Sequence, residues 1–175
     1  MHRVTEQDRP WIAETVAGAF ASPRVVSKGR VIEDASLLDG FVVETDGRPI
    51  GCALWLEEDG DAELVVIVTT YRGVGAGVAL LDAVVNHARE SGWHRLWLIT
   101  TNDNTDAMRI YQRAGWKWIA WYRDAVARSR ALKPELPEFG AHGIPIAHEI
   151  EFEYPLQLES PTRPTRRTGR SGSSP

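Results

Sequence analysis

The sequence is poor in cysteine and has no long apolar run. Its single cysteine, Cys52, excludes an internal disulfide framework and any multi-cysteine metal site. No stretch approaches the roughly 18 consecutive apolar residues of a membrane-spanning helix. The residues after Met1 lack the apolar segment of a signal peptide, so a cytoplasmic location is expected. The five histidines show no metal-ligand spacing, since Phe152 stands where an H-E-x-x-H motif starting at His148 would need histidine; no metal is predicted.

Composition and charge indicate one globular domain with a basic end. Apolar residues make up 43% of the 175-residue sequence and charged residues 25%, which is ordinary for a chain with a single core. Four arginines and no acid occupy 160–175, so the net charge of −4 divides into +4 there and −8 elsewhere. We therefore expect a domain over 1–158 and a disordered tail over 159–175. The acidic body argues against a specific nucleic-acid partner and is compatible with a cationic amine substrate.

Hydrophobic patterning predicts alternating strands and helices, which gives an α/β (α+β) sheet with helices on its faces. Strands are expected at 2–5, 41–44, 50–56, 62–70, 96–100, 116–122 and 147–155. Helices are expected at 6–18, 78–90, 105–114 and 124–132. Asp-Gly turns at 46–47 and 59–60 join neighbouring strands, and 19–40 is expected to be irregular with one short helical segment. The segment 62–70 is almost continuously apolar, which predicts a central strand buried on both faces.

A glycine-rich segment joins that central strand to the following helix. It reads Tyr71-Arg72-Gly73-Val74-Gly75-Ala76-Gly77. The first turn of a helix has unpaired N–H groups and a partial positive charge, so it attracts a phosphate or pyrophosphate. Glycines at 73, 75 and 77 leave that backbone accessible, and Arg72 adds a donor at the rim. The segment therefore predicts an anion-binding turn.

Three kinds of phosphate loop can be compared with this segment. A P-loop needs Gly-Lys followed by Ser or Thr, which is absent. A dinucleotide fingerprint needs a closing glycine at 78 or 80, where the sequence has Val78 and Leu80. The pattern that fits is R-x-x-G-x-G, formed by Arg72, Gly75 and Gly77. In this pattern, and in its strand-to-helix setting, the sequence resembles the pyrophosphate loop of the GNAT N-acetyltransferases.

A second block supports the same resemblance. The segment 104–116, N-T-D-A-M-R-I-Y-Q-R-A-G-W, is similar to a later helix of that family. The matching positions are Asn104, Ala107, Tyr111, Gly115 and Trp116. The resemblance covers roughly 41–122, and one departure is a threonine at position 69, where many members have proline.

The resemblance implies the GNAT fold, a central mixed and mostly antiparallel twisted sheet of about six or seven strands flanked by helices. It also implies acetyl-CoA as cosubstrate and direct transfer of acetyl to a primary amine of a small molecule or peptide. The implied cofactor-binding residues are Ile67, Val68, Arg72, Gly73, Val74, Gly75, Ala76, Gly77, Asn104, Ala107 and Tyr111. Ile67 and Val68 are expected to pair through their backbone with the pantetheine arm.

Two residues are candidates for proton transfer. An alkyl ammonium has a pKa of about 10, so a general base is needed at neutral pH, and the departing thiolate benefits from a donor. The resemblance assigns the donor role to Tyr111, which alternatively is a core residue of its helix. Glu63 is the candidate base, and strand alternation is expected to put it on the same face as Val65 and Ile67. The alternative for Glu63 is a solvated strand end. Glu57 and Glu58 are weaker substitutes.

Other functions stay open at this stage. A non-catalytic acyl-CoA-binding or sensor module would keep the loop but lack the acid and base. An acyltransferase using a longer acyl chain or a hydroxyl acceptor is also compatible with the sequence, as is a homodimer. Cys52 lies among apolar strand residues and is expected to pack as a small hydrophobe. The proline- and glycine-rich loop 134–145 is expected to border the acceptor site.

Overall fold

The computed structural model describes residues 1–71 and 73–156, and they form one seven-stranded sheet, a small hairpin and four α-helices. The sheet order is β1-β4-β5-β6-β7-β9-β8, and the separate hairpin is β2-β3. The strands are β1 (His2–Arg3), β2 (Val25–Ser27), β3 (Arg30–Ile32), β4 (Asp39–Thr45), β5 (Arg48–Glu58), β6 (Asp61–Thr69), β7 (Arg95–Thr101), β8 (Lys117–Tyr122) and β9 (Glu149–Tyr154). The helices are α1 (Arg9–Phe20), α2 (Ala76–Glu90), α3 (Thr105–Arg113) and α4 (Val126–Leu132).

The predicted turns form as the sequence indicates. Asp46 and Gly47 both have positive φ, of 51° and 70°, and close the β4–β5 hairpin. Asp59 and Gly60, at 53° and 84°, do the same between β5 and β6. Two successive positive φ angles belong to the turn type whose twist matches antiparallel strands, and Asp-Gly is the dipeptide that adopts it most readily.

The sheet is mixed and mostly antiparallel, as predicted, and the exception is central. The strands β6 and β7 are parallel, and their pairing covers only three positions, from Asp61 with Arg95 to Glu63 with Trp97. Beyond Glu63, β6 pairs only with β5, and β7 pairs only with β9. The sheet therefore opens along its centre at the end where the glycine loop begins.

A β-bulge in β6 changes which face its residues occupy. Leu54 of β5 pairs with Val66, while the next residue, Trp55, pairs with Leu64, so Val65 is an extra residue on β6. Leu64 packs in the core beneath α2, whereas Val65 and Val66 both pack in the core beneath α1.

The bulge overturns one sequence expectation. Beyond Val65 and Val66 the alternation is reversed, and Ile67 packs with the α2 core. Glu63, Val65 and Ile67 were expected to share a face, and this is wrong because the extra residue shifts the period of two.

Two hydrophobic cores lie on opposite faces of the sheet. The core beneath α2 and α3 contains Leu80, Leu81, Val84, Trp93, Leu98, Tyr111, Trp116 and Phe152. The core beneath α1 contains Ile12, Val16, Val42, Cys52, Leu54 and Val66. Strand β5 supplies both, since Ala53 and Trp55 face α2 while Cys52 and Leu54 face α1. Within the residues that the structure covers, no helix is long and apolar enough to span a membrane.

Several sequence-based boundaries need correction. The segment 19–40 contains the β2–β3 hairpin as well as the one helical turn that was expected, at Ala35–Leu37. Helix α2 begins at Ala76 rather than at position 78. The central strand is buried on both faces only in its first half, because its last three residues are half-buried. The tail predicted over 159–175 lies outside the described residues, as does Arg72.

Candidate active site

A cavity of about 500 Å3 lies where β6 and β7 separate. Its lining comes from both faces of the sheet, since Tyr111 belongs to the α2 core while Val65 packs beneath α1. The remaining wall comes from the end of α1, the hairpin strand β2 and the loop after α4. Because no described strand pairs with β6 on this side beyond Glu63, this edge of β6 presents unpaired backbone groups to the cavity.

Glu63 lines this cavity and is only 3% exposed. Burial raises the pKa of its carboxyl above the ordinary value; the nearby Ser27 hydroxyl and the cations Arg30 and Lys28 reduce the rise, and Glu149 adds to it. The alternative reading of Glu63 as a solvated strand end is wrong. A buried carboxyl with a raised pKa beside a cavity is a candidate for a general base.

The weaker substitutes for Glu63 lie elsewhere. Glu57 and Glu58 are both exposed at the end of β5 and do not line the cavity. Glu58 is held by Arg30 in a bidentate ion pair. Neither carboxylate is positioned to remove a proton in the cavity.

Tyr111 reaches the same cavity from helix α3. Its ring packs against Phe152 at 5.6 Å and Trp116 at 6.3 Å between ring centroids, and the residue is only 6% exposed. The hydroxyl makes no hydrogen bond to any other described residue. Burial raises the pKa of this phenol, so it stays protonated and can donate. Tyr111 is thus both a core residue and a lining residue of the cavity.

Asn104 precedes α3 and lines the cavity, but it does not cap the helix with its side chain. Its Nδ2 instead donates to Oγ1 of Thr100 at 3.1 Å, at the end of β7. This bond turns the amide towards the gap between the strands. Ala107, one turn further along α3, is half-buried against the α2 core.

The glycine loop leads directly into the N-terminus of helix α2. Gly73 and Gly75 have φ of 83° and 76°, and a Cβ at either position would meet no atom within 4 Å. Gly75 is the N-cap of α2 and has no side-chain cap, and the first intrahelical bond is from Ala79 N to the Gly75 carbonyl. The N–H groups of residues 76–78 are therefore available to an anion. Val74 and Tyr71 beside them are exposed.

The loop after α4 borders the cavity, and its predicted place beside the acceptor site stays a prediction. Leu136, Pro137 and Gly140 belong to the lining. The loop is tied to the end of β7 by two side chains. Asn102 donates to the Pro145 carbonyl at 2.9 Å, and Asp103 accepts from the Ala141 N–H at 3.0 Å.

The Asp103 contact leaves no room for a side chain at Gly140. A Cβ there would lie 1.9 Å from Asp103 Oδ2. We expect Gly140→Ala to lower the free energy of unfolding by about 1–3 kcal/mol, because the loop must move away from β7. Gly18→Ala is the matched control, since a Cβ at Gly18 meets nothing within 4 Å. Equal denaturation midpoints for the two variants would show that this packing has no energetic role.

Strand β9 contributes an acidic face that the sequence analysis did not recognise. Glu149 and Glu151 are both buried, at 3% and 2% exposure, and alternate with Ile150 and Phe152 of the α2 core. The signal was present as the alternation Glu-Ile-Glu-Phe-Glu, which marks one polar and one apolar face of a strand. Glu149 lines the cavity, and Glu151 does not.

Glu151 is compensated by its own cations. Lys28 Nζ lies 2.8 Å from its carboxylate, Arg95 forms a second ion pair, and the Tyr122 hydroxyl donates at 2.5 Å. These partners lower the pKa of Glu151 against the opposing effect of burial, which is the largest single influence. These contacts to Glu151 hold the β2–β3 turn, which contains Lys28, against β9.

Cys52 has no role at this site. It is fully buried in the α1 core, and burial raises the pKa of its thiol to about 12. A thiol that remains protonated is a poor nucleophile. The expectation that Cys52 packs as a small hydrophobe is confirmed.

Comparison with known proteins identifies the family to which the chain belongs. Residues 11–116 match the model of the acetyltransferase (GNAT) family. The chain belongs to the GNAT family. The matched segment extends from α1 to Trp116 and contains the glycine loop, Glu63 and Tyr111.

Individual relatives agree with this assignment. The protein YdhI of Bacillus subtilis is 40% identical over 116 residues, which cover 66% of this chain and 72% of YdhI. The ribosomal-protein-S18-alanine N-acetyltransferase of Escherichia coli superposes with a TM-score of 0.63 at 16% identity, covering 93% of this chain and 96% of that one. A GNAT acetyltransferase from Elizabethkingia anophelis, crystallised with acetyl-CoA bound, gives 0.57 at 21% identity, covering 67% and 75%. The predictions of the GNAT fold and of an acyltransferase are confirmed.

Proposed function

We propose that this GNAT protein transfers acetyl from acetyl-CoA directly to a primary amine, with Glu63 as general base and Tyr111 as general acid. The observation that carries the proposal is the cavity in the open sheet, where a buried carboxyl from β6 and an unpaired phenol from α3 line one space. A cytoplasmic location, a homodimer and a domain over 1–158 stay predictions from the sequence.

The cofactor would extend from the glycine loop into the cavity. Its pyrophosphate would bind the free N–H groups at the start of α2, where the helix dipole favours an anion. Its pantetheine arm would pair with the open edge of β6 at Ile67 and Val68, in the way that an extended peptide adds to a sheet edge. The related enzyme from Elizabethkingia anophelis holds acetyl-CoA, which supports this assignment.

The chemistry divides between the two sides of the cavity. Glu63 would accept a proton from the alkyl ammonium, and the freed nitrogen would form a bond to the thioester carbonyl carbon. The C–S bond would then break, and the Tyr111 hydroxyl would supply the proton that the leaving thiolate takes up. The nitrogen would lose its second proton as the amide forms, and that proton would restore the Tyr111 hydroxyl, while the proton on Glu63 would pass to solvent. The raised pKa of Glu63 suits the base, since the carboxylate binds a proton more readily, and Tyr111 is protonated and so carries a proton to donate.

The experiment that tests the function measures thiol release from acetyl-CoA in the presence of a panel of amines and matched alcohols. We expect release only when an amine is present. Binding of acetyl-CoA without turnover on any acceptor would instead identify a non-catalytic acyl-CoA module. Faster release from a longer acyl-CoA would identify a different acyl donor, since a cavity of about 500 Å3 has room beyond an acetyl group.

The glycine loop can be tested by a pair of substitutions with equal backbone strain. Gly75→Ala and Gly47→Ala each place a side chain at positive φ, 76° and 70°, with no atom within 4 Å. Both are expected to cost about 1–2 kcal/mol of stability. Only Gly75→Ala is expected to weaken CoA binding, by about tenfold or more in a calorimetric titration. Equal CoA affinities in the two variants would remove the loop from the cofactor site.

A further inference from the structure

We propose that the amine acceptor carries two positively charged nitrogens, one that gives its proton to Glu63 and one that stays charged against Glu149. This inference rests on the proposed acetyl transfer and specifies its acceptor. The compound class is a small diamine with a short hydrocarbon spacer.

The charges that line the cavity are strongly unequal. Three carboxylate residues contribute to the lining, namely Glu63, Asp103 and Glu149. Among the described residues, Lys133 is the one lysine or arginine in the same lining. Its Nζ donates to the Phe20 carbonyl at 2.6 Å and also to the carbonyl of residue 24, so both bonds hold it to the wall. Lys28 and Arg30 lie near Glu63 but outside this lining, so the described lining itself carries more carboxylates than cations, which suits a cationic ligand.

Glu149 is buried with neutral partners only. Its Oε1 accepts from Ser129 Oγ at 2.6 Å, and its Oε2 accepts from the Lys28 backbone N–H at 3.2 Å. No ion pair to Glu149 is formed by the residues that the structure covers. Glu151, two residues along the same strand, has Lys28 Nζ and Arg95. A buried carboxylate without a cation is costly, and each of its oxygens can accept a further hydrogen bond.

Ser27 is a further polar group of the cavity beside Glu63. Its hydroxyl is buried without a hydrogen bond of good geometry to any described residue, but it lies close enough to the Glu63 carboxyl to lower the pKa of that group. Buried hydroxyls in native proteins nearly always have a partner. An acceptor amine in the cavity would give Ser27 a hydrogen bond.

The need for a second charge follows from the course of the reaction. Before transfer, an ammonium beside Glu63 and another beside Glu149 would balance two carboxylates. After Glu63 takes its proton, the reacting nitrogen is neutral and offers no positive charge to Glu149. A monoamine would leave Glu149 without compensation at that moment, whereas a diamine would keep one ammonium against it. The monoacetylated product would carry the same ammonium.

The cavity walls also offer apolar surface to the spacer of such a diamine. Val25 of β2 and Leu136 and Pro137 of the loop after α4 contribute apolar side chains to the lining. A methylene chain in contact with these side chains would be removed from water, which favours binding by about 0.8 kcal/mol for each buried CH2.

The test compares binding of 1,4-diaminobutane and butylamine to the CoA complex by calorimetry. We expect the diamine to bind about tenfold or more tightly, because it adds a charge-assisted hydrogen bond to Glu149. Equal affinities would overturn the inference. The monoacetylated diamine is likewise expected to inhibit turnover more strongly than N-butylacetamide, which has no charge; equal inhibition would also overturn it.

Two variants assign the effect to Glu149. In Glu149→Gln the preference for the diamine is expected to fall to about threefold or less, with thermal unfolding confirming the fold. Glu153→Gln is the matched control, because Glu153 lies on the same strand but outside the cavity lining and pairs with Arg95. A full preference retained in Glu149→Gln would overturn the assignment. If Glu149→Gln does not fold, the binding and inhibition measurements on the parent protein decide whether the acceptor carries a second charge.

The two proposals fail in different ways. Absence of turnover with every amine would overturn the proposed acetyl transfer. Turnover with monoamines and diamines at equal half-saturation would leave acetyl transfer intact and overturn the inference of a second charge.

Discussion

Replacing Tyr111 by phenylalanine is expected to lower kcat about 100-fold while leaving the affinity for acetyl-CoA nearly unchanged. General acid catalysis typically contributes a factor of at least about 100. The substitution removes one hydroxyl that has no hydrogen-bond partner in the described residues and keeps the ring that packs against Phe152 and Trp116. The loss should therefore appear in turnover rather than in folding or cofactor binding. Steady-state kinetics and calorimetry on the same preparation measure both quantities.

Tyr154→Phe is the matched control for this experiment. Tyr154 packs on Trp116 in the same aromatic cluster, and its hydroxyl accepts a long hydrogen bond of 3.4 Å from Arg89 away from the cavity. Its removal should leave kcat within about twofold of the parent. If Tyr111→Phe behaves like Tyr154→Phe, then Tyr111 is a packing residue and the thiolate takes its proton from solvent or another group.

Glu63→Gln is expected to lower the rate at pH 7 by about 100-fold and to recover partly at high pH. The base is no longer needed when the amine is already neutral, which for an alkyl amine begins near pH 10. In the parent protein, activity should fall as the pH is lowered through the raised pKa of Glu63, because the carboxyl is then protonated. The pH–rate profile of the variant should lack this acidic limb.

The same substitution, Glu63→Gln, is expected to raise the stability of the protein at pH 8 although it lowers the rate. Folding raises the pKa of Glu63, so the protonated group favours the folded state at low pH, and that contribution is lost as the pH rises through the folded-state value. At pH 8 the neutral glutamine should therefore unfold at a higher temperature than the parent. Glu57→Gln, at an exposed site outside the cavity, is the control and should change neither rate nor stability. A rate for Glu63→Gln equal to this control would leave Glu63 without a catalytic role.

Local patterns were sufficient to predict most of the elements and the loop. The Asp-Gly turns, the apolar run at 62–70 and the helical spacing after residue 76 each depend on neighbours in sequence. The order of the strands in the sheet depends on pairing between segments that are far apart in the sequence. The insertion of β9 between β7 and β8 joins segments separated by a helix and the loop 134–145, and no local pattern indicates it.

The bulge at Val65 shows why residue faces were harder to predict than strands. Every residue of 62–68 except Glu63 is apolar, so the sequence offers no alternation from which an inserted residue could be detected. The register of β6 with β5 is fixed by long-range packing on both faces, beneath α1 and beneath α2. Glu63 nevertheless lines the cavity, because its position next to the strand opening does not depend on the bulge, and its role as the base stays a prediction.

The strand β8 gives a second example. Trp118 and Trp121 are of a residue type that is usually well buried, yet they are 52% and 54% exposed. The reason is topological, since β8 is an edge strand of the sheet and pairs with β9 alone among the described strands. Glu149 was missed for a related reason: its importance comes from lining the same cavity as Glu63, from a strand about 85 residues further along the chain.

The central claim, direct acetyl transfer in the cavity between β6 and β7, is tested most directly with acetyl-CoA carrying an isotopic label in the acetyl group. The parent protein is incubated with this cofactor and an amine panel, and both the small molecules and the intact protein are analysed by mass spectrometry. The account predicts labelled N-acetyl product and protein without label, since Cys52 is buried and remains protonated. Label on the protein, or no acetylated amine in the presence of bound acetyl-CoA, would contradict it.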